Sequence, residues 1–391
     1  MTNETTVLLQ SCKHILHNHD KPSLSDVDEK TLFELAKENG LAPFLYATFK
    51  DDSISETFKK ALKTLNLAYH KRHLQHEETI KRLRSTFNNH GIDFLFLKGV
   101  HLKDLYPSPH MRASGDIDVL LKDKQAVDAV EPFLKKAGFT SKMKNAQHDL
   151  YTDANGSTVE VHPTVYKAFS EKYDRLFENE WQHATHKDAH EYRFTPEFEI
   201  CYLLYHLAKH FDASGVGLRS ILDIGLYVQD HKDTLDFKYL DTLLLKGSLH
   251  TFYKTIIGLN QIYFDLAPLV TVDQTLSNAR LNQLTAYIVT SGIHGKGKHF
   301  NMFHARRIRE GQSANKVKVL LRILFPSMDT MKGIYPSLKK TPVLLPLFWV
   351  HRIFKITFKR FKTSVHKLKL LFSSSKEEAE STASMFEDIG L

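Results

Sequence analysis

The sequence predicts an α+β protein, a small mixed sheet with helices packed on it followed by a larger helical domain. Three observations carry this. Short apolar or alternating runs with strand spacing cluster between residues 94 and 162, apolar residues at helical spacing precede them, and from about residue 164 the chain reads as almost wholly helical. At 391 residues, 42% hydrophobic and 25% charged, the chain has room for two or three domains, and its composition excludes collagen-like, disordered and disulfide-stapled classes. Cys12 and Cys201 allow at most one bridge, cannot build a Cys-rich zinc site, and fit a reducing compartment.

The elements follow in order. Residues 30–49 and 55–89 read as helices because Leu32, Leu35, Ala36 and then Phe58, Leu62, Leu65, Tyr69 recur at three- and four-residue steps. Asn88, Asn89 and Gly91 stop the second. Residues 94–97 are continuously apolar, as in a short buried strand, and Gly99 turns the chain into a helix bearing Leu102, Leu105 and Tyr106. Ile117, Val119 and Leu121 alternate with Asp116, Asp118 and Leu120, a second strand with carboxylates at its start. A polar helix over 124–136 ends at Gly138. Segments 139–143, 148–151 and 157–162 then read as antiparallel strands, with Asn155-Gly156 as a hairpin turn. Helical periodicity marks 196–211, 217–231, 236–246, 250–265 and 273–291. The expected divisions are a helical lead-in at 1–90, the sheet core at 91–163, a helical domain at 164–312, a basic amphipathic region at 313–372 and a disordered acidic tail at 373–391.

Charge is unevenly distributed along the chain. The net +8 conceals a balanced segment 1–312, with 39 residues of each sign, a segment 313–371 at +12, and a tail 373–391 at −4. Lys316, Lys318 and Arg322, then Arg352, Lys355, Lys359, Arg360, Lys362, Lys367 and Lys369, interleave with apolar residues. That pattern suits an amphipathic helix on an anionic membrane surface, nucleic-acid phosphates, or docking on the helical domain with the cations in water. No leader is visible, and the longest late apolar run, 342–350, is far short of the roughly 20 residues that span a bilayer. The expectation is a cytoplasmic protein without a transmembrane segment, peripheral at most to the inner membrane face.

The chemistry concentrates in one constellation. Asp116 and Asp118, two apart on a strand, share a face and can share one divalent ion. Lys98-Gly99 ends a buried strand and opens a helix, offering backbone amides and a mobile cation to a phosphate, while Arg112 and Ser114 lie just before the aspartates. Glu160 alternates with Val159 and Val161 and can join the Asp pair. Three such carboxylates can hold two Mg2+ or Mn2+ ions for in-line nucleotidyl transfer from a nucleoside triphosphate (NTP).

The run Phe94-Leu95-Phe96-Leu97-Lys98-Gly99, then Leu102, Tyr106, Arg112 and Asp116-Ile117-Asp118-Val119, resembles the nucleotidyltransferase superfamily whose archetype is DNA polymerase beta. More narrowly it resembles the bacterial uncharacterised nucleotidyltransferase family, whose acid-x-His motif is matched by Glu160-Val161-His162. A later helical motif of that family is matched by His206, Lys209, His210, Gly217, Arg219 and Asp223. The resemblance covers about residues 30–365. It implies a polymerase beta-like core with Asp116, Asp118 and Glu160 as catalytic metal ligands and Lys98, Gly99, Arg112 and Ser114 on the nucleotide. Three positions depart from the pattern: Val100 replaces a Gly or Ser, Glu160 an Asp, and Pro163 an aromatic residue.

Accessory roles remain for several side chains. His162 shares the face of Glu160 and can orient it or assist proton removal. His206 and His210 have the spacing of a zinc pair but no third ligand in sequence. Lys209, His210 and Arg219 can reach a triphosphate or acceptor, or Arg219 can pair with Asp223 four residues on. His183, His186 and His190 read as surface. The expected function is transfer of a nucleoside monophosphate to an unknown acceptor hydroxyl, small-molecule or saccharide-related. The alternatives are a toxin-like enzyme acting on tRNA or protein, and an inactive nucleotide-binding adaptor recruited to a membrane or polysaccharide-synthesis assembly.

Overall fold

The computed structural model describes residues 1–145, 148–166, 171–213, 215–266, 276–292, 321, 324–339, 341–359 and 376–391. Four helices lead in: α1 (Asn3–His17), α2 (Glu29–Glu38), α3 (Ala42–Phe49) and α4 (Glu56–Asn89). The single helix expected over 30–49 is two, because Gly40 takes φ 71° and Pro43 starts a new first turn. The 34-residue α4 starts on Ser55, whose Oγ accepts from Phe58 N–H at 3.2 Å, and it buries Phe58, Leu62, Ile80, Leu83 and Phe87 on one face.

The sheet follows: β1 (Phe94–Phe96), short helix α5 (Gly99–Leu102), β2 (Asp116–Leu121), helices α6 (Lys124–Ala129) and α7 (Glu131–Lys136), then β3 (Thr140–Lys144), β4 (Asp149–Thr152) and β5 (Thr158–His162). Pro132 divides the helix expected over 124–136. Two further strands, β6 (Ala184–Asp188) and β7 (Glu191–Phe194), correct the expectation of an almost wholly helical chain from about 164. Their exposed residues, Thr185, His186, Lys187, Asp188 and Arg193, are polar or charged, so the apolar alternation that betrays a strand is missing. Among the described residues the order is β3-β4-β5-β2-β1-β7-β6, with β1–β7 and β2–β5 parallel and the other pairs antiparallel. His183, just before β6, is buried and stacks on Phe198 with ring centroids 4.2 Å apart, which corrects its assignment to the surface.

One face of this sheet carries the core. Phe94, Phe96, Ile117, Val119, Leu121, Tyr151, Val159 and Val161 pack with Ile80, Leu83 and Phe87 of α4 and Val127, Val130 and Leu134 around α6 and α7. Polar bonds fix α4 on it. Buried Asp153 accepts from Thr79 Oγ1 at 2.8 Å, from the backbone N–H groups of Asn155 and Ser157 at 2.9 Å each, and from the Arg82 guanidinium. Arg84 Nε donates to Glu191 on β7 at 2.6 Å.

Helices α8 (Pro196–Ala213), α9 (Leu218–His231), α10 (Phe237–Lys246), α11 (His250–Phe264) and α12 (Asn278–Ser291) complete the sequence-predicted helical series. Gly225 lets α9 approach α11, since a Cβ there would meet Asn260 Oδ1 at 2.1 Å. Buried Asn39 ties the lead-in to these helices: its Nδ2 donates to the Val289 carbonyl and its Oδ1 accepts from Leu218 N–H, both at 3.0 Å. One compact unit comprises Met1–His210, Gly215–Gly295 and Ile389–Leu391, and a second comprises Phe211–Ser214 and Lys296–Asp388.

The second unit contains helices Met328–Ile334, Leu345–Lys359 and Lys376–Asp388. The last replaces the expected disordered tail. Ala379, Ala383 and Phe386 fall on one buried face, and Phe386 meets Phe211 edge-on at 5.9 Å. Lys316, Lys318, Arg322, Arg360, Lys362, Lys367 and Lys369 lie outside the described residues. No helix among the described residues is long and apolar enough to cross a membrane.

Asp153→Ala strips four donors of their acceptor while leaving the core side chains in place. Loss of charge-assisted bonds of this kind predicts destabilisation by about 2–3 kcal/mol, measured by urea unfolding.

Candidate active site

β2 and β5 run parallel and in register, with Asp118 opposite Glu160 and Leu120 opposite His162. Because Ile117, Val119, Val159 and Val161 point into the core, alternation turns Asp116, Asp118, Glu160 and His162 to the other face together. Asp116, Asp118 and Glu160 each offer an oxygen within 4.8 Å of the others. Asp116 is exposed, Glu160 half-buried and Asp118 buried at 5% exposure. This oxygen-only donor set fits Mg2+ or Mn2+.

Two basic side chains hold the buried charge. Lys98 Nζ lies 3.1 Å from Asp118 Oδ2, and His162 Nε2 donates to Asp118 Oδ1 at 2.9 Å, with Glu160 Oε2 at 3.4 Å from the same nitrogen. Burial pushes the Asp118 carboxyl up, but Lys98 and His162 outweigh it and hold the pKa well below the ordinary carboxylate value. Asp116 moves the other way: although its side chain reaches solvent, desolvation by the surrounding protein and the neighbouring charges of Asp118 and Glu160 raise it against the pull of Lys98. The His162 hydrogen bond lowers Glu160. Burial lowers the His162 ring, and its hydrogen bonds to Asp118 and Glu160 outweigh that and raise it.

Lys98 occupies a strained position. It follows β1, whose continuation donates Leu97 N–H to the Asp118 carbonyl at 3.0 Å, and its own φ is +47°, a region non-glycine residues seldom adopt. The turn aims the ammonium across β2. The next residue, Gly99, is fixed by space: a Cβ there would lie 2.8 Å from Arg112 Nη1 and 3.1 Å from Ser114 Oγ.

Arg112 lines the cleft beside Gly99 and Ser114, and its guanidinium is engaged by protein groups there. Its Nε and Nη2 form a bidentate pair with Asp223 of α9 at 2.7 and 2.8 Å, Nη1 donates to Ser114 Oγ at 3.0 Å, and Tyr106 Oη donates to the same Asp223 at 2.7 Å. Arg112 and Asp223 are both buried, and the carboxylate outweighs burial to raise the guanidinium pKa further. Arg219, read as a partner of Asp223, instead donates to the Ala113 carbonyl. The two therefore clamp the segment leading into β2 from α9. His206 and His210 face each other on α8 with Nε2 atoms 2.9 Å apart. Neither belongs to a group of three potential metal ligands among the described residues.

Several residues around the site escaped sequence reasoning. A cleft beside Asp116, Gly99 and Ser114 is walled by Tyr69, Arg72 and His73 of α4 and by Lys103. Arg72 Nη2 donates to the Gly115 carbonyl at 2.5 Å. The helical period of α4 was legible, but which of its faces meets the site depends on how it crosses the sheet. Glu199 of α8 is buried, and burial pushes its carboxyl up to about 8 against the lowering field of Lys98.

The model of the uncharacterised nucleotidyltransferase family matches residues 25–265, which takes in the whole sheet and the helices from α2 to α11. The chain belongs to that family. No curated protein and no solved structure matches it. Membership makes it a nucleotidyltransferase, an enzyme whose substrate is a nucleoside triphosphate. The family match and the carboxylate cluster thus fall on the same strands.

Two outcomes follow for this nucleotidyltransferase. Asp223→Ala leaves Arg112 buried without its carboxylate and lowers stability by about 3–5 kcal/mol, whereas the double variant Arg112→Met/Asp223→Leu recovers much of it in the same urea assay. Glu199, with its raised pKa, favours the folded state fully below its unfolded value of about 4.3 and loses that contribution as pH rises to about 8. Glu199→Gln removes the titration, so the melting-temperature difference, variant minus wild type, grows between pH 5 and pH 8.

Proposed function

We propose that the chain transfers a nucleoside monophosphate from an NTP to an acceptor hydroxyl, using a divalent metal site made of Asp116, Asp118 and Glu160. The observation that carries this reading is the convergence of three carboxylates within 4.8 Å on two adjacent parallel strands, beside a cleft lined with cations. A divalent ion bound there would neutralise the leaving pyrophosphate and ease ionisation of the acceptor hydroxyl.

The chain's own groups then have distinct duties. Asp118, kept ionised by Lys98 and His162, supplies a charge available at any physiological pH. Lys98 balances that charge until a triphosphate offers it another anion. Gly99 and Ser114 line the cleft where the phosphates enter, with Arg72 and Lys103 as further cations on its wall. Arg112 works mainly as a positioning residue, holding Ser114 against Gly99. Glu160 accepts the acceptor's proton as its oxygen attacks the α-phosphorus and the bond to pyrophosphate breaks, and His162 fixes the orientation of that carboxylate. Of the acceptors, a small-molecule or saccharide-related hydroxyl is preferred. The basic region 313–371 is read as a location device at an anionic membrane face of the cytoplasm, supported by the exposed Leu347, Val350 and Phe354 on helix Leu345–Lys359.

The test is pyrophosphate release from each of the four ribonucleotides with Mg2+ or Mn2+ and extract fractions as acceptors, with label followed into RNA, protein and small molecules. Asp118→Asn should lower turnover by at least about 100-fold without loss of fold. Undiminished turnover in that variant would overturn the site assignment, and nucleotide binding without pyrophosphate release would favour an inactive adaptor.

A further inference from the structure

A second group of metal-capable side chains adjoins the carboxylate cluster. His148, Glu160 and His162 also offer ligand atoms within 4.8 Å of one another. Their convergence follows from register. β4 and β5 are antiparallel with Leu150 opposite Glu160 and Asp149 opposite Val161, so His148, one residue before β4, continues the ladder to a place opposite His162. Alternation then puts His148, Glu160 and His162 on one face, the face of Asp118. The imidazoles lie with centroids 5.4 Å apart, and His148 and His162 side chains are 13% and 5% exposed.

We propose that His148, Glu160 and His162 form a transition-metal site of two nitrogens and one oxygen, distinct in chemistry from the oxygen-only group and sharing Glu160 with it. The donor spacings support this. Glu160 Oε2 lies 3.4 Å from His162 Nε2 and 3.8 Å from His148 Nδ1, and Asp118 Oδ1 lies 2.9 Å from His162 Nε2. Four-coordinate zinc, with ligands at about 2.0–2.1 Å, sets its donors roughly 3.3 Å apart. Small side-chain rotations therefore close the shell, and Asp118 is placed to serve as a fourth donor. Imidazole nitrogens favour Zn2+ and Co2+, whereas Mg2+ keeps to oxygen ligands. An ion seated here engages Glu160 and Asp118, so a nitrogen-seeking metal competes with the ion that serves nucleotidyl transfer. The site itself does not depend on that reaction.

Cobalt tests it through a signal separate from activity. The full-length protein is titrated with Co2+ and the visible absorption of low-coordinate cobalt is recorded. One equivalent should saturate the band, equimolar Zn2+ should abolish it, and equimolar Mg2+ should leave it. His148→Ala and His148→Gln should each weaken binding by more than the roughly 10–100-fold that loss of a supporting residue costs. Asp116→Ala and His210→Ala should retain the band, separating this site from the oxygen cluster and from the histidine pair on α8. Circular dichroism and thermal melting confirm that both His148 variants fold. Absence of the band in wild type, its survival in both His148 variants, its loss in Asp116→Ala, or its displacement by equimolar Mg2+ would overturn the proposal. Pyrophosphate release measured without cobalt tells failure of this site from failure of the transferase reading.

Discussion

A buried carboxylate in a protein interior is tolerable only with its charge answered, and Asp118 is answered from two directions, by Lys98 at 3.1 Å and His162 at 2.9 Å. Much of the surrounding architecture serves this arrangement. Strand β1 must end where Lys98 can turn back across β2, at the expense of a positive φ, and β5 must lie parallel to β2 in a register that brings Glu160 and His162 alongside. A slip of one residue would send the carboxylates into the apolar core, so packing against α4 and the convergence of the three carboxylates are enforced by the same register.

The second constraint is the clamp on the segment before β2. Arg112 is bound to Asp223 and Tyr106 to the same carboxylate, while Arg219 holds the Ala113 carbonyl. These bonds join the sheet to α9, so the helices after the sheet are a structural part of the site. The Arg and Asp of the family motifs are therefore read as framework here. Further positive charge stands on the wall of the cleft, in Arg72 and in Lys103, which is paired with Glu77. Net charge near zero over residues 1–312 therefore coexists with a local convergence of cations at this cleft.

Much of the fold was legible in the sequence because hydrophobic period reports burial. Apolar alternation in β2 and β5 and the stripe on α4 required no knowledge of partners. Strands β6 and β7 were hidden because edge residues such as His186, Lys187 and Asp188 face water on both sides. Helix Lys376–Asp388 was hidden because a Ser- and Glu-rich composition masks a narrow stripe of Ala379, Ala383 and Phe386. The three carboxylates, Lys98 and Gly99 could be found from spacing alone. His148, Arg72 and Lys103 could not, since nothing local distinguishes them from solvated surface residues.

The sequence by itself determined which residue types stand at the start of β2, at the end of β1 and along β5, and hence that hard-oxygen chemistry was available on one sheet face. Periodicity of two is a property of the strand alone, and it settles which side chains share a side. Tertiary structure decided who pairs with whom. Sequence proximity favoured Arg219 for Asp223, one helical turn away, yet packing gave that carboxylate to Arg112, over 100 residues earlier in the chain. A buried charge selects its partner by geometry and desolvation across the whole fold, and neither is written in local spacing.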